Sequence, residues 1–254
     1  MHIAVVMRLV PDISEELEID ENGSDIDREW IGLKVNEFDE FALEEAVILK
    51  ERLGARVTAV ALAGDGADRL LQSAVARGAD EAVRIDHGMD QIVGPAATAA
   101  LLLSPLRNLG VDLVLTGVQT PEDVFGQLAP YLAGKLGWPT VNAVSGISVR
   151  DGTVVIQQEY SGGLSALLAV TGPAVLGVQA ASQPPRYVSG TKLRQAISTP
   201  IRAEKVDATP EATVRIDALS LPESERQTEM IAGNAEQVAT RLLDILKEKG
   251  LVGA

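Results

Sequence analysis

The sequence predicts an α/β fold: an open, mostly parallel, doubly wound sheet followed by a C-terminal arm and helix. Short apolar runs alternate with helical patterns through the first half of the chain, the order that a parallel sheet with crossover helices requires. The chain is 46% hydrophobic but only 3% aromatic, so its core is built from Ala, Val, Leu and Ile, the usual filling between such a sheet and its helices. A length of 254 residues suits one core domain with a peripheral extension.

The elements follow in order. The run Ile3 to Val10 reads as the first strand, and the acidic segment between Asp12 and Lys34, with its Asn22-Gly23 turn signal, as a solvent-facing hairpin insert at about 13–33. Phe38, Phe41, Ala42, Ala46, Leu49 and Leu53 recur at three- and four-residue spacing and predict a helix, with Asn36 as N-cap, Asp39 three residues on and Gly54 as its stop. Strands are expected at Val57 to Leu62, Ala82 to Ile85 and Leu113 to Leu115, with helices at Ala67 to Ala76 and Ala96 to Leu109 between them. Beyond Pro139 the pattern turns β-rich, with Val154 to Ile156 and Ala174 to Val178 as strand candidates and Asp151-Gly152 as a turn; these strands extend the sheet or form an antiparallel edge. From Ser182 to about Glu223 the chain is rich in Pro, Ser, Thr and charge and reads as an arm lying over a surface. A last amphipathic helix starts at Asn234, with Gln237 completing a capping box and Val238, Leu242, Ile245 and Leu246 on one face. The expected division is a domain over residues 1–182 and a docking segment, arm and helix over 183–254.

Composition removes several function classes. A net charge of -14 argues against nucleic-acid binding, which draws its affinity from cations on phosphates. With no cysteine there is no disulfide framework, thiolate metal site or cysteine nucleophile, and the two histidines, His2 and His87, offer little for metal or acid–base chemistry. Neither a signal peptide nor a membrane span is expected; the most apolar stretch, Ala96 to Leu103, is too short to cross a bilayer. The expected compartment is the cytoplasm, or the mitochondrial matrix in a eukaryote. No P-loop occurs, and Gly64-Asp65-Gly66 reads as a strand-to-helix turn. Ser145, Ser165 and Ser189 lack a nucleophile-elbow context, and Glu44-Glu45 read as a solvated helix face. No catalytic residue and no metal ligand is expected.

The most informative stretch is Gly117-Val118-Gln119-Thr120-Pro121-Glu122-Asp123-Val124-Phe125-Gly126-Gln127-Leu128, followed by a helix ending at Gly137-Trp138-Pro139. It leaves the carboxyl end of a strand and enters a helix N-terminus, where unpaired N–H groups favour an anion. A strand–loop–helix of this kind is common, and by itself marks only a candidate phosphate cradle.

Four blocks in sequence make the signal specific. Leu113-Val114-Leu115-Thr116-Gly117-Val118-Gln119 with Leu136-Gly137-Trp138-Pro139 resembles, without gaps, the nucleotide segment of electron transfer flavoprotein beta subunits. Asn36-Glu37-Phe38-Asp39-Glu40-Phe41-Ala42-Leu43-Glu44-Glu45-Ala46, then Arg77-Gly78-Ala79-Asp80, resembles a second block of that family. Pro185-Arg186-Tyr187, followed by Leu193 and Ala196, resembles the family signature, and the opening Met7-Arg8-Leu9-Val10-Pro11-Asp12 is similar as well. The resemblance implies an adenine-nucleotide alpha-hydrolase-like sheet and a heterodimer with a larger alpha subunit that carries the redox FAD. It also implies AMP in this chain, at Val6, Asn36 to Asp39, Leu62 and Gly117 through Leu128, held mostly by backbone groups. Phe38 matches an aromatic near the flavin edge, with a plain core role as the other reading. Glu159 matches a carboxylate that contacts the alpha subunit, and Pro185, Arg186, Tyr187, Gly190, Leu193 and Ala196 belong to the docking segment. Electrons would enter from a flavoprotein dehydrogenase and leave to a quinone reductase or another acceptor.

The chain departs from the family pattern in places. Phe125 replaces a small or polar residue and either closes the phosphate pocket or turns outward; Ala129 replaces a glycine or similarly small residue, and Glu122 lengthens an Asp. Gly190 stands where a leucine anchor is common, and Gln183 and Pro184 where Asn and Glu are frequent, which implies a different donor. Two further readings stay open: an electron-bifurcating subunit with a second FAD and an NADH site, whose Asp-Gly-Asp-Thr-like run falls at Glu122 to Phe125, and a stand-alone nucleotide-binding or signalling protein of related fold.

Overall fold

Strand β1 (His2–Val6) is buried on both faces, each covered by an apolar cluster. Ile3 and Val5 point into one apolar cluster and Ala4 and Val6 into another, the alternation that a strand's two-residue period imposes. The computed structural model describes residues 1–14, 16–29, 31–89, 94–123, 125–208, 210, 216–221 and 230–252. The described chain divides into two compact units, Met1–Leu219 and Ser220–Ala254.

In the first unit, β4 (Arg56–Leu62), β5 (Glu81–His87), β6 (Leu113–Gly117), β7 (Thr140–Arg150), β8 (Thr153–Glu159), β9 (Ser165–Val170), β10 (Ala174–Val178) and β11 (Arg202–Val206) join β1 in a nine-stranded sheet. Its order is β11-β5-β4-β1-β6-β10-β7-β8-β9. Every pairing from β11 to β7 is parallel, and β8 and β9 close the far edge as antiparallel strands. The expected mostly parallel sheet is therefore present, with its later strands forming the antiparallel edge. Helices α1 (Glu37–Leu53) and α2 (Ala67–Arg77) cover the face with Ile3 and Val5; α3 (Gly94–Leu109) and α4 (Leu128–Leu136) cover the other.

The chain runs outward from β1 to β4 and β5, then returns through α3 to place β6 on the opposite side of β1. That reversal makes the carboxyl ends of β1 and β6 a topological switch point, the crevice in which open α/β sheets take ligands. Between β1 and α1, β2 (Leu9–Pro11) and β3 (Leu33–Val35) pair antiparallel, and an Ile19–Ile26 bridge with a turn at Asn22-Gly23 forms the tip.

Three expectations need correcting. Asp151-Gly152 joins β7 to β8, so the β-rich region holds four strands rather than two. The segment from Ser182 is not only an arm: it forms the short helix α5 (Gly190–Ala196) and contributes β11 beside β5. Arg202, Glu204 and Lys205 give β11 the charged character of an edge strand and hide it from an apolar-run search. Asn36 occupies the N-cap position of α1, but its side chain makes no capping hydrogen bond; Asp39 N and Glu40 N donate to its backbone carbonyl instead. In the second unit, α6 (Ala235–Glu248) does begin with the expected Asn234–Gln237 capping box. Among the described residues no helix is long and apolar enough to cross a membrane.

Where β10 passes β7, a side chain at Gly177 would stand 1.8 Å from Asn142 Oδ1 and 2.8 Å from its Cγ. Asn142 cannot retreat freely, because its Nδ2 donates to the Gly126 carbonyl at 2.8 Å. Gly177→Ala is therefore expected to destabilise the protein by about 1–3 kcal/mol through overpacking. Urea unfolding of both proteins measures this, and an unchanged midpoint would contradict the packing described.

Candidate functional site

The crevice is assembled around one buried carboxylate. Asp39, in the first turn of α1, is 0% exposed. Its Oδ2 accepts from Arg8 N at 2.9 Å and Arg8 Nε at 3.0 Å, and its Oδ1 accepts from Arg8 Nη2 and Gly117 N, each at 2.7 Å. Arg8 Nη2 also donates to the Gly117 carbonyl at 3.1 Å, and Asn36 Nδ2 donates to the Gln119 carbonyl at 3.0 Å. The turn after β1, the start of α1 and the end of β6 are thus fastened together. Gly117 is required by proximity: a Cβ there would lie 2.5 Å from Asp39 Oδ1 and 2.6 Å from Phe38 Cβ.

Beyond Gly117 the loop builds its own scaffold. Asp123 N donates to Thr120 O and Oγ, Gly126 N donates to Asp123 O, and Gln127 N donates to Asp123 Oδ2 at 3.0 Å. The Asp123 carboxylate therefore sits at the N-terminus of α4, at a position an external anion would also favour. Phe125 is 84% exposed, so its ring turns outward and does not fill the crevice. Leu128 and Ala129 are buried in the core beneath α4. Val124 lies outside the described residues.

Of the other residues the resemblance implies, Val6 is buried under the crevice, Leu62 is half-buried at the end of β4 and Glu37 is exposed. Val118 N continues the sheet by donating to Val178 O, Thr120 is buried, and Pro121 and Glu122 are exposed. Phe38 is half-buried, edge-on to Phe41 with ring centroids 6.4 Å apart. One residue past Leu62 begins an open cavity of about 500 Å³ bordered by Gly64, Gly66, Arg69 and Arg84; Arg84 is already paired with Asp68 and Asp86.

At the start of the docking segment, Ser182 and Arg186 are tied to α1, while α5 packs against α2. Arg186 N and Nε donate to Glu44 Oε2, each at 3.0 Å, and Arg186 Nη2 donates to Glu44 Oε1 at 2.8 Å; its Nη1 reaches Glu51 at 2.7 Å. Ser182 donates to Glu45 Oε1 through both its N–H and its hydroxyl. Glu44 is 5% and Glu45 0% exposed, which overturns the solvated-face reading of this pair. Their partners lie about 140 residues away, where helical periodicity carries no signal. Beyond Arg186, Tyr187 projects into solvent, Gly190 opens α5, Leu193 is partly exposed and Ala196 is buried. Glu159 is exposed at the end of β8, paired across the ladder with Ser165. The structure thus joins Asn36 and Asp39 to Gly117 and Gln119, while Pro185 to Ala196 lie apart from them and Glu159 stands by itself on β8. Arg8 stood within a recognised block but was not singled out; Glu44, Glu45, Glu51 and Asn142 gave no local sign of their partners.

The sequence pattern that defines the electron transfer flavoprotein domain matches residues 25–210. The chain is 30% identical over 266 residues to the electron transfer flavoprotein subunit beta of Methylophilus methylotrophus, covering 98% of each protein. It is 29% identical to the subunit beta of Clostridium acetobutylicum, over 98% of this chain and 99% of that one, and 25% identical to that of Dictyostelium discoideum, over 99% of both.

Two outcomes follow from the buried carboxylates. Asp39→Asn keeps the shape but strips the charge that neutralises Arg8, whose side chain is only 15% exposed. Breaking one partner of a buried pair costs about 3–5 kcal/mol, so chemical denaturation is expected to register a loss of that order, and a loss below about 1 kcal/mol would refute the anchor. Burial pushes the Glu45 carboxyl above its ordinary value of 4.5, partly offset by the hydrogen bonds from Ser182. The native state then holds more protons than the unfolded chain at pH values above that ordinary value, so this group's contribution to stability falls as pH rises. Wild type should lose stability relative to Glu45→Gln as pH is raised from about 4.5. Parallel unfolding curves at every pH would disprove the shift.

Proposed function

The chain belongs to the electron transfer flavoprotein family as a beta subunit, and from that premise we propose that it holds AMP at the Gly117–Leu128 loop within a heterodimer. Its partner is an alpha subunit whose FAD carries electrons from a flavoprotein dehydrogenase to a quinone reductase or another acceptor. The observation that carries the nucleotide reading is the Asp39 cluster, which fixes the loop's starting point at the sheet's switch point.

The residues fit an adenine nucleotide in three respects. Phe125 points away, Gly117 and Gly126 bring bare backbone into the loop, and the loop runs directly into the N-terminus of α4. Asp123 shares that helix terminus, so a phosphate there would have to be met by further donors. The redox chemistry is the flavin's; this chain orients, excludes water and supplies a partner surface. Two exposed apolar stretches support a partner: Leu164, Leu167 and Leu168 on and beside the edge strand β9, and Leu242, Leu243 and Leu246 on α6. Clamped by Glu44 and Glu51, Arg186 holds the base of the segment that carries Tyr187 and Leu193 outward. With Gly190 in place of a leucine, that segment lacks a buried anchor worth about 2 kcal/mol, which favours a donor other than an acyl-CoA dehydrogenase.

Purification of the chain together with its alpha subunit, release of bound small molecules and their identification test this directly. One flavin and one AMP per heterodimer are expected. Two flavins would replace the AMP reading with the electron-bifurcating one, and a chain that is monodisperse and protease-resistant by itself would refute the obligate heterodimer.

A further inference from the structure

The candidate loop has a charge problem. It carries Glu122 and Asp123, it adjoins Glu37 at the start of α1, where Asp39 is already neutralised by Arg8, and the chain as a whole bears a net charge of -14. A nucleotide phosphate approaching it meets like charge from several directions, and backbone dipoles alone offset only part of that field. Among the described residues, two arginines hydrogen-bond to this region, and they differ in what they can still do. Arg8 is nearly buried and committed: its donors go to both oxygens of Asp39 and to the Gly117 carbonyl. Arg28 comes from the hairpin between β2 and β3, and its side chain remains 47% exposed.

Arg28 Nη2 donates to Glu122 Oε1 at 2.6 Å, while Nε and Nη2 also reach Asp25 at 3.1 and 3.2 Å. The hairpin holds it there with a defined turn: Asp20 N donates to Asp25 O, and Ser24 N donates to Asp20 Oδ1. An exposed ion pair of this kind contributes little to stability, so fastening the hairpin is a weak account of it. What the pair does accomplish is to hold a guanidinium, 94 residues away in sequence, against the loop's most exposed acid.

We propose that Arg28 is a nucleotide-binding residue: carried on the hairpin and positioned by Glu122, its guanidinium meets the phosphate of a 5′-phosphorylated nucleotide at the Gly117–Leu128 loop. This rests on the proposed AMP site and adds to it a binding residue from outside the sheet, together with a basis for preferring a phosphorylated ligand over its nucleoside. The fork of a guanidinium suits phosphate oxygens, and a charge-assisted contact to phosphate is among the stronger ones available. Glu122 is then a competitor as well as a guide, because ligand and carboxylate share one cation.

The test uses the complex with the alpha subunit, freed of bound nucleotide and titrated calorimetrically with AMP and with adenosine. Arg28→Gln is expected to weaken AMP roughly ten- to a hundredfold while leaving adenosine unchanged. Arg28→Lys should recover part of the loss, and Glu122→Gln should tighten AMP several-fold by removing the competing charge. If Arg28→Gln weakens AMP and adenosine equally, the residue shapes the loop and does not meet the phosphate; if it alters neither, Arg28 is a surface residue only. Either result overturns the proposal while the nucleotide site stands. A wild-type complex that binds neither ligand overturns the nucleotide site itself, and the proposal with it.

Discussion

The carboxylate of Asp39 receives four hydrogen bonds from two segments that are far apart in the chain, and the geometry of the crevice depends on it. A buried carboxylate is tolerated only when a counter-charge and enough donors replace the water it has lost. Arg8 provides the first and, with Gly117 N, the second. Because these donors come from the turn after β1 and the end of β6, satisfying one charge also fixes the two strand ends between which the sheet reverses. Gly117 belongs to the same constraint, since the approach that lets its N–H reach Asp39 leaves no room for a side chain.

Helix α1 extends that constraint along its length. Its N-terminal end holds the Gly117–Leu128 loop through Asn36 and Asp39, and its middle and last turns hold the segment 182–186 through Glu44, Glu45 and Glu51. The face opposite the sheet is therefore not free for solvent. One rigid rod sets the spacing between the candidate nucleotide loop and the exposed Tyr187, and any movement of one against the other has to break charge-assisted hydrogen bonds at a buried helix surface.

How much of this was legible in the sequence follows from the range of each signal. The parallel sheet was legible because β1, β4 and β6 are continuous apolar runs, and α1 because its spacing repeats every three or four residues; both patterns are local. Strand β11 was not, since an edge strand of Arg, Ala, Glu, Lys and Val has no apolar run to find. Glu44 and Glu45 follow the same logic: on a helix, a buried carboxylate with a distant partner has the same spelling as a solvated one. Asn36 and Asp39 stood in plausible capping positions, and local rules assigned them to the helix, whereas tertiary partners at and just past the end of β6 and after β1 claim their side chains. Resemblance, being ordered along the chain, located the segments of the site but not the bonds between them.

One departure from the family pattern, Phe125, is instructive because it falls where a side chain matters least. In the loop, Thr120, Asp123, Gly126 and Gln127 are linked largely through backbone groups, so Phe125 can turn outward without disturbing those links. The positions that admit no such freedom are Gly117, pressed against Asp39 and Phe38, and Gly177, pressed against the Asn142 amide that holds Gly126. A scaffold of this kind constrains a few glycines and buried polar groups tightly and leaves the loop's outer side chains open to change. Its shape then persists while the charges around it are redistributed, and the residues that set ligand preference are better sought on the rim, in Glu122 and in the hairpin arginine that faces it, than in the loop's interior.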